Sequence, residues 1–318
     1  MKKIAIIGEC MIELSLKQAK PPQLAFGGDT LNTAVYLARL LKNQAAEIHY
    51  VTALGQDTFS RQMLAQWQLE GIRTELVQIL ADKLPGLYSI VTDPQGERSF
   101  YYWRNDSAAR YWLQTTDSAA ITAQLATFDY LYLSGISLAI LDQASREKLY
   151  ALLAEFKRNG GKLVFDNNYR PRLWQDVATA QQAYQQILSL SDIAFLTLDD
   201  ETALWGGKSG ESAVETVIAR TQGYGVNEIV IKRGADSCIV AVQRQRVDIA
   251  ANNIAAEKVI DTTAAGDSFS AGYLAARLCG GEVQSAVRQG HQLAGTVIQH
   301  RGAIIPLAAM PKHSIVFI

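Results

Sequence analysis

Short apolar runs alternate with longer helical patterns over most of the chain. From about residue 129 onward the apolar runs are YLYLSG, KLVFDN, IAFLT and EIVIK, and helical patterns, including those near 142–158 and 177–190, lie between them. Two earlier runs, IAIIG near the start and IHYVTALG at 48–55, also resemble buried strands. Strands that alternate with helices in this way are typical of crossovers between parallel strands. The pattern therefore predicts an α/β fold in which helices flank a mostly parallel central sheet.

Polar residues mark the two ends of one of these helices. Asp142, with Ser145 and Glu147, is suited to cap the start of the helix near 142–158. The sequence NGG at 159–161 is suited to its end, because glycine accepts the left-handed backbone that often closes a helix. These signals place the helix boundaries within a few residues.

Two stretches depart from this rhythm and alternate apolar with polar side chains, as a strand with one covered face does. They are CMIELSLK at 10–17 and LYSIVTDPQGERSFYYW at 87–103, in which the turn residues DPQG at 93–96 join two strands. We expect a small antiparallel β lid built from residues near 9–26 and 76–104. Ligands of parallel sheets bind at the carboxyl ends of the strands, so a lid there would cover the site.

Composition and charge point to a small-molecule partner. The 30 Lys and Arg residues nearly balance the 31 Asp and Glu residues, which gives no electrostatic basis for binding nucleic acid or an anionic membrane. No apolar run approaches the roughly 20 residues that span a bilayer. The three cysteines are far apart and lack metal-ligand spacing, and the start of the chain is too acidic for a signal peptide. We therefore expect a cytoplasmic protein.

The sequence DTTAAGDSFSAG at 261–272 carries the clearest chemistry. Small residues form a turn that opens into a helical pattern, and backbone amides at a helix start bind anions such as phosphates. Asp267 ends that turn, and a carboxylate beside a phosphate site repels the ligand unless it has a task such as accepting a proton. The alternative is a helix cap, since Asp and Ser are common at helix starts.

DTTAAGD at 261–267 closely resembles the DTxGAGD signature of the ribokinase-like (PfkB) carbohydrate kinases. FGGDTLN at 26–32 resembles the glycine-pair sugar site of the same family, and the resemblance covers essentially the whole chain. Segments such as GECMIEL, FYYWRN and FDNNYRPRLW are similar to members that phosphorylate 2-keto-3-deoxygluconate. The resemblance implies a single ribokinase-like kinase domain over residues 1–318, which uses ATP and Mg²⁺ and to which a monovalent cation could also bind.

The resemblance also implies roles for individual residues. Asp267 would be the catalytic base, and the anion hole would consist of Ala264, Ala265 and Gly266. The nucleotide side would add Asn168, Lys232 and Gly234 to the anion-hole residues, and Glu201 would serve the metal. The residues expected to bind the substrate are Gly28, Asp29, Asn32, Tyr88, Tyr102, Arg104, Arg170 and Asp267.

An acid substrate needs a fixed cation, and the fork of an arginine suits a carboxylate better than lysine does. Arg104 and Arg170 are the arginines at the predicted site. The alternatives are a kinase for a neutral ketose such as fructose, or a sugar-binding protein on the same scaffold without catalysis. We also expect a homo-oligomer that forms through the lid, because the outer face of an exposed sheet needs a cover.

Two positions depart from the family pattern. Ala264 stands where the family usually has glycine, and alanine is acceptable there only if the backbone needs no positive φ. Leu198 stands where the family commonly has the Asn of an Asn-x-x-Glu motif linked to magnesium, so Asp199 or Asp200 would have to compensate.

Overall fold

The structure is a computed structural model that describes residues 1–17, 21–92, 98–207, 210–242 and 245–311. The strands of its main sheet are β1 (Lys2–Ile7), β4 (Ala46–Leu54), β5 (Val77–Ile79), β8 (Tyr130–Ser134), β9 (Lys162–Asp166), β10 (Ile193–Thr197), β11 (Glu228–Lys232), β12 (Ser237–Val242) and β13 (Gln245–Ala250). A second sheet contains β2 (Met11–Lys17), β3 (Gln23–Gly27), β6 (Leu87–Thr92) and β7 (Arg98–Trp103).

Helices occupy the connections between the strands. The α-helices are α1 (Asp29–Leu41), α2 (Thr58–Leu69), α3 (Ser118–Leu125), α4 (Gly135–Ala139), α5 (Gln143–Arg158), α6 (Val177–Leu188), α7 (Leu198–Trp205), α8 (Glu211–Gly223), α9 (Ala265–Leu278) and α10 (Val283–Val297). Short 3₁₀ helices lie at Ala108–Tyr111, Pro171–Leu173, Ala256–Lys258 and Leu307–Ala309. None of the helices within the described ranges is long and apolar enough to span a bilayer.

The main sheet is mostly parallel, as the alternating pattern predicts. Across the described chain its strand order is β13-β12-β11-β10-β9-β8-β1-β4-β5. Every pair from β11 to β5 is parallel, and β12 and β13 add an antiparallel edge. The carboxyl ends of the parallel strands therefore lie at one edge of the sheet, where such folds bind ligands.

Alternate residues of each central strand enter two hydrophobic cores, one on each face of the sheet. Ile4 and Ile6 of β1 pack with residues of α1, α2, α9 and α10, whereas Ala5 and Ile7 pack with residues of α3, α5, α6 and α8. Both faces of the strands are covered, which explains why their sequences are continuous apolar runs.

The predicted boundaries of α5 are confirmed. Oδ1 of Asp142 accepts a hydrogen bond from the backbone N–H of Ser145 at 2.7 Å and so satisfies one amide of the first turn. The helix ends at Asn159, and Gly160 follows with a φ of 87°, a left-handed conformation that favours glycine.

The lid is a small sheet of strand order β3-β2-β6-β7. Its outer pairs are antiparallel, as expected, while the central pair β2 and β6 is parallel because β6 returns to the lid only after β4, α2 and β5 of the main body. Residues 77–79, which we included in the lid stretch 76–104, instead pair with β4 in the main sheet. The predicted turn at 93–96 lies outside the described residues.

Gly135, at the start of α4, allows three elements to meet closely. A Cβ atom at this position would overlap both Oη of Tyr184 and the backbone carbonyl oxygen of Asn167, and that hydroxyl donates to that carbonyl. We predict that Gly135→Ala lowers the free energy of unfolding by about 1–3 kcal/mol, because the core must shift to admit the methyl group. Urea denaturation measures this change.

Gly223→Ala is the matched control. A Cβ at Gly223, the last residue of α8, would meet no described atom within 4 Å outside its own helix, so alanine should leave stability unchanged or raise it slightly. Equal urea midpoints for Gly135→Ala and the wild type would contradict the close packing of Gly135 against Tyr184 and Asn167.

Candidate active site

The carboxyl edge of the main sheet carries most of the predicted polar residues. Glu9 follows β1, Asp166 ends β9, Thr197 ends β10 and Lys232 ends β11. Helix α1 begins at Asp29, directly after the lid strand β3. Residues from the sheet, from α1 and from the base of the lid therefore share this edge.

The turn before α9 has the properties of an anion site. Ala264 is the N-cap of α9 with a φ of −112°, so alanine fits where the family usually has glycine. The first amides of a helix lack partners within the helix and can bind phosphate oxygens. The amide of Ala265 also donates to the carbonyl of Thr262 at 3.1 Å, within the turn itself. The space beside Gly266 is open: outside its own turn, a Cβ there would meet one described atom within 4 Å, Nζ of Lys232 at 3.5 Å. The residues present thus fit a polyphosphate.

Asp267 lies in the first turn of α9 and faces the start of α1. Nδ2 of Asn32 donates to Oδ2 of Asp267 at 2.8 Å, and Oγ1 of Thr33 donates to the backbone carbonyl of Asp267 at 3.4 Å. The residue keeps some exposure, as a base that meets a substrate must, while protein atoms closely surround its carboxyl group.

The pKa of the Asp267 carboxyl is raised to about 8, first by burial and then by the negative charge of Asp29. The hydrogen bond from Asn32 acts in the opposite direction. A general base works best when its pKa is close to the operating pH. The environment of Asp267 therefore suits proton acceptance better than helix capping, and its side chain makes no described cap hydrogen bond in α9.

A hydrogen bond joins Asp29, which is predicted to bind the sugar, to Asn168, which is predicted to lie on the nucleotide side. Nδ2 of Asn168 donates to Oδ2 of Asp29 at 2.5 Å, and the backbone N–H of Asn168 donates to Oδ1 of Asn167 at 2.8 Å. Asn168 has a φ of 25°, the only positive φ of a non-glycine residue in the described ranges. Such strain is maintained where surrounding bonds fix the backbone, and it is common at functional sites.

Lys232 is buried beneath the anion turn and is already paired. Its Nζ donates to Oδ2 of Asp166 at 2.8 Å and to Oγ of Ser270 at 3.3 Å. Gly234, in the turn after β11, has a φ of 62° that favours glycine. The structure places Lys232 beside the expected phosphates, and the nucleotide role of both residues stays a prediction.

Tyr88 and Tyr102 face each other across the lid. They are paired residues of β6 and β7, and their rings stack with centroids 6.0 Å apart. The hydroxyl of Tyr88 donates to Oε2 of Glu13, so it has only lone pairs left for a sugar hydroxyl. Tyr102 is 53% exposed.

The two predicted arginines have different environments. Arg104 is 6% exposed and its Nη2 donates to Oε2 of Glu9, which is also buried. Arg170 is exposed; its Nη1 donates to the carbonyl of Tyr169 at 2.7 Å and lies 3.4 Å from Oδ1 of Asp200. Arg170 is therefore the more easily redirected cation, and Arg104 the more rigid one.

Glu201, the predicted metal residue, is already bound to protein groups. Its Oε1 accepts from Nδ2 of Asn167 at 3.0 Å, and its Oε2 accepts from Arg220. Leu198 begins α7 with an apolar side chain. Within the described ranges no group of three acidic, His or Cys residues could hold a metal ion. A metal role for Glu201 stays a prediction, and any magnesium here would depend largely on phosphate oxygens and water.

Three buried residues of this edge were not predicted from the sequence. They are Glu9, Glu13 and Asn167, with exposures of 2%, 9% and 0%. Asn167 directly follows a buried strand and Glu9 lies two residues beyond another, which is the signal that could have identified them. Glu13 alternates with apolar residues in β2, a pattern that by itself gives no sign of a buried glutamate.

Sequence comparison agrees with this geometry. The model of the pfkB family carbohydrate kinases matches residues 1–310. The chain belongs to this family. In this pfkB family kinase, residues 261–267, which resemble the family signature, form the turn before α9 and the first residues of that helix.

Individual members of the pfkB family are similar along their whole length. The 2-dehydro-3-deoxygluconokinase of Dickeya dadantii (strain 3937) is 61% identical over 311 residues, which cover 98% of this chain and 99% of that protein. The crystal structure of a PfkB protein from Polaromonas sp. JS666 matches with a TM-score of 0.80 at 23% identity, covering 94% and 96% of the two chains. A fructokinase from Xylella fastidiosa with bound ATP matches at 0.77 and 22%, covering 97% and 95%. The two structures support the ribokinase-like fold.

The first test of the pfkB site is Asp267→Asn, which keeps size and hydrogen bonding but removes the proton acceptor. We expect the turnover rate to fall by about 10²–10⁴, the usual contribution of a general base. Nucleotide affinity, measured by calorimetry, should change little because the backbone amides remain. Turnover close to that of the wild type would contradict the assignment of Asp267 as the base.

Proposed function

We propose that this chain transfers the γ-phosphoryl group of ATP to the terminal hydroxyl of 2-keto-3-deoxygluconate and gives the 6-phosphate. The observation that carries the proposal is the position of Asp267, whose pKa is raised to about 8, in the first turn of a helix that fits a polyphosphate. Phosphoryl transfer to a hydroxyl needs a proton acceptor and an anion site close together. The identity to 2-dehydro-3-deoxygluconokinase supports this choice of substrate.

In this proposal the residues around α9 carry out the chemical step. Asp267 accepts the proton of the attacking hydroxyl, and Asn32 holds the carboxylate in position. The amides of Ala264, Ala265 and Gly266 stabilise the negative charge of the transferred group. Water is kept away by the lid, which raises the strength of each of these interactions.

The nucleotide side consists of Asn168, Lys232, Gly234 and the same amides. Mg²⁺ bound with ATP would neutralise part of the phosphate charge, with Glu201 as its proposed protein contact. Lys232 contributes a positive charge beneath the turn while Asp166 fixes its position. A monovalent cation near this turn belongs to the same proposal.

The substrate side combines close backbone approach with polar recognition. Gly28 presents its backbone to the sugar, while its missing side chain admits the backbone carbonyl of Glu9. Asp29 and Asn32 meet the sugar hydroxyl groups, and Tyr88 and Tyr102 contact the sugar from the lid. Arg104 and Arg170 bind its carboxylate, which a neutral ketose lacks. The acid is therefore distinguished by charge rather than by shape.

We also propose that the enzyme works in the cytoplasm. All three cysteines are free, and Cys10 and Cys238 are buried. Burial raises the pKa of the Cys10 thiol and therefore suppresses its reactivity. Isolated unreactive thiols of this kind are usual in a reducing compartment.

A coupled assay across sugar acids and neutral sugars, with the wild type and Arg170→Ala, tests the function. Loss of a hydrogen bond to a charged group should lower kcat/KM for 2-keto-3-deoxygluconate roughly 10- to 150-fold. Fructose never uses that contact, so its weak kcat/KM should change far less. An equal fall for both substrates would assign Arg170 to the phosphates or the fold. A wild type that prefers fructose would favour the neutral-ketose alternative, and one that consumes no ATP with any sugar would favour a binding protein.

One face of the lid exposes large apolar side chains in the part of the chain that the structure describes, which supports the proposed homo-oligomer. Leu24, Tyr101 and Trp103 lie on one face of the lid and are 48%, 53% and 62% exposed. The base of the same face, at Ile12 and Phe26, is buried in the core beside α1. An exposed group of large apolar side chains on a sheet is typical of a protein interface.

We predict that the protein is an oligomer at micromolar concentration and that Trp103→Lys weakens the assembly, because a charge would have to be buried in the interface. Sedimentation or light scattering measures the mass. Lys42→Glu, a charge change at the exposed end of α1, is the control and should leave the mass unchanged. A wild type that is only monomeric would contradict this part of the proposal.

A further inference from the structure

Glu9 and Arg104 form a buried ion pair between the central sheet and the lid. Glu9 lies two residues beyond the end of β1 and Arg104 directly follows β7, and their side chains are 1% and 6% exposed. Taking two charges out of water is costly, and well-packed apolar residues of similar volume often serve stability equally well. The pair therefore needs an explanation other than stability alone.

The pair lies against the predicted sugar site. A Cβ at Gly28 would overlap the backbone carbonyl oxygen of Glu9, so the first residue of the substrate side packs directly on the glutamate. The carbonyl of Gly28 in turn accepts the backbone N–H of Asn32 at 2.8 Å, and Asn32 holds the base Asp267. A continuous set of contacts thus joins the Glu9–Arg104 ion pair to Asp267.

Glycine also makes room for the pair on the lid side. A Cβ at Gly86 would lie 2.9 Å from Oε1 of Glu9 and 3.1 Å from Cβ of Arg104. Any side chain there would displace the carboxylate or the arginine. Both glycines that border the pair therefore keep its geometry.

The pair is also incompletely satisfied. Oε1 of Glu9 and Nε of Arg104 are buried, and neither has a hydrogen-bond partner among the described residues. Buried polar atoms of native proteins nearly always have partners, and exceptions are typical of functional sites. An available donor on the arginine is what a substrate carboxylate requires.

We propose that Glu9 is a positioning residue for acid recognition: it orients Arg104 so that the guanidinium is held ready for the substrate carboxylate. This inference rests on the proposed function. An arginine that is already fixed loses less conformational freedom when the ligand binds, so affinity for the acid is higher. Glu9 acts through Arg104 and takes no part in proton or phosphoryl transfer.

The test compares Glu9→Gln with Glu228→Gln. Glu228 is also a buried glutamate paired with an arginine, Arg277 at 2.7 Å, but it begins β11 at the opposite edge of the sheet. Both variants should lose some thermal stability. Only Glu9→Gln should raise KM for 2-keto-3-deoxygluconate, by about 10-fold, the lower end of the effect of a charged hydrogen bond. Its kcat and its KM for ATP should stay within about 2-fold of the wild type, because the base and anion turn are intact.

Two further variants separate positioning from a role in folding. Glu9→Asp keeps the charge but shortens the reach, so it should also raise KM for the acid even if Glu9→Gln fails to fold. In an Arg104→Met background, which already has a high KM, Glu9→Gln should add less than about 2-fold if it acts only through the arginine.

Several results would overturn the inference. They are an unchanged or lowered KM for the acid in Glu9→Gln, a wild-type KM in Glu9→Asp, or a full additional loss in the Arg104→Met background. An assay of the wild type with 2-keto-3-deoxygluconate distinguishes failure of the proposed function from failure of the proposed role of Glu9. A wild type inactive on 2-keto-3-deoxygluconate contradicts the proposed function, whereas an active wild type with any of these results contradicts only the role of Glu9.

Discussion

The carboxylates of Asp29, Asp166 and Asp267 lie near one another where the parallel strands end. The site depends on which hydrogen-bond donors and cations stabilise the negative charge of each. Asp166 accepts from a buried lysine and from two hydroxyl groups, and Asp29 accepts from the amide of Asn168. Among the described residues, the side chain of Asp267 accepts only from the side-chain amide of Asn32. Since nearby like charges and burial both disfavour ionisation, the least compensated carboxyl has the raised pKa. The crowding that opposes the negative charge of Asp267 thus supports the proposal that this residue is the base.

The surrounding structure keeps this arrangement rigid. The side chain of Asn167 uses both its oxygen and its nitrogen, bonding to the backbone N–H of Asn168, to the N–H and C=O of Thr197, and to Glu201. These bonds join the ends of β9 and β10 and support the strained backbone of Asn168. A site on strand ends and helix starts is held more precisely than one on loops. The lid, in contrast, contacts the core mainly through its base.

Much of the fold, and the turn before Asp267, could be predicted from the sequence because the signals lie in short stretches of the chain. Continuous apolar runs indicated buried parallel strands, Asp142 indicated a helix start, and the small residues before Asp267 indicated an anion turn. The parallel pairing of β2 with β6 was not predictable from alternation, since alternation is the same in both directions. The placement of 77–79 was also missed, because a three-residue strand has too little pattern to assign to a sheet.

The site was predicted less completely than the fold. Residues in recognisable motifs were found, whereas Glu9 and Glu13 were missed because their importance lies in partners far along the chain, Arg104 and Tyr88. The first pairing arises only when the lid folds back onto the end of β1, and the second only when β6 pairs with β2 inside the lid. The same holds for the pKa of Asp267, which depends on Asp29, a residue more than two hundred positions away.

The central claim is that a carboxyl with a raised pKa acts as the base, and the pH dependence of kcat/KM for 2-keto-3-deoxygluconate at saturating ATP and Mg²⁺ tests it most directly. The base must be ionised, so activity should fall as the pH drops through the pKa of Asp267, with a midpoint near 8. Below the midpoint kcat/KM should decrease about tenfold per pH unit, and Asp267→Asn should lack this limb. A profile that stays flat from about pH 6 to pH 9, or that turns only near the ordinary carboxyl pKa of about 4, would contradict the account.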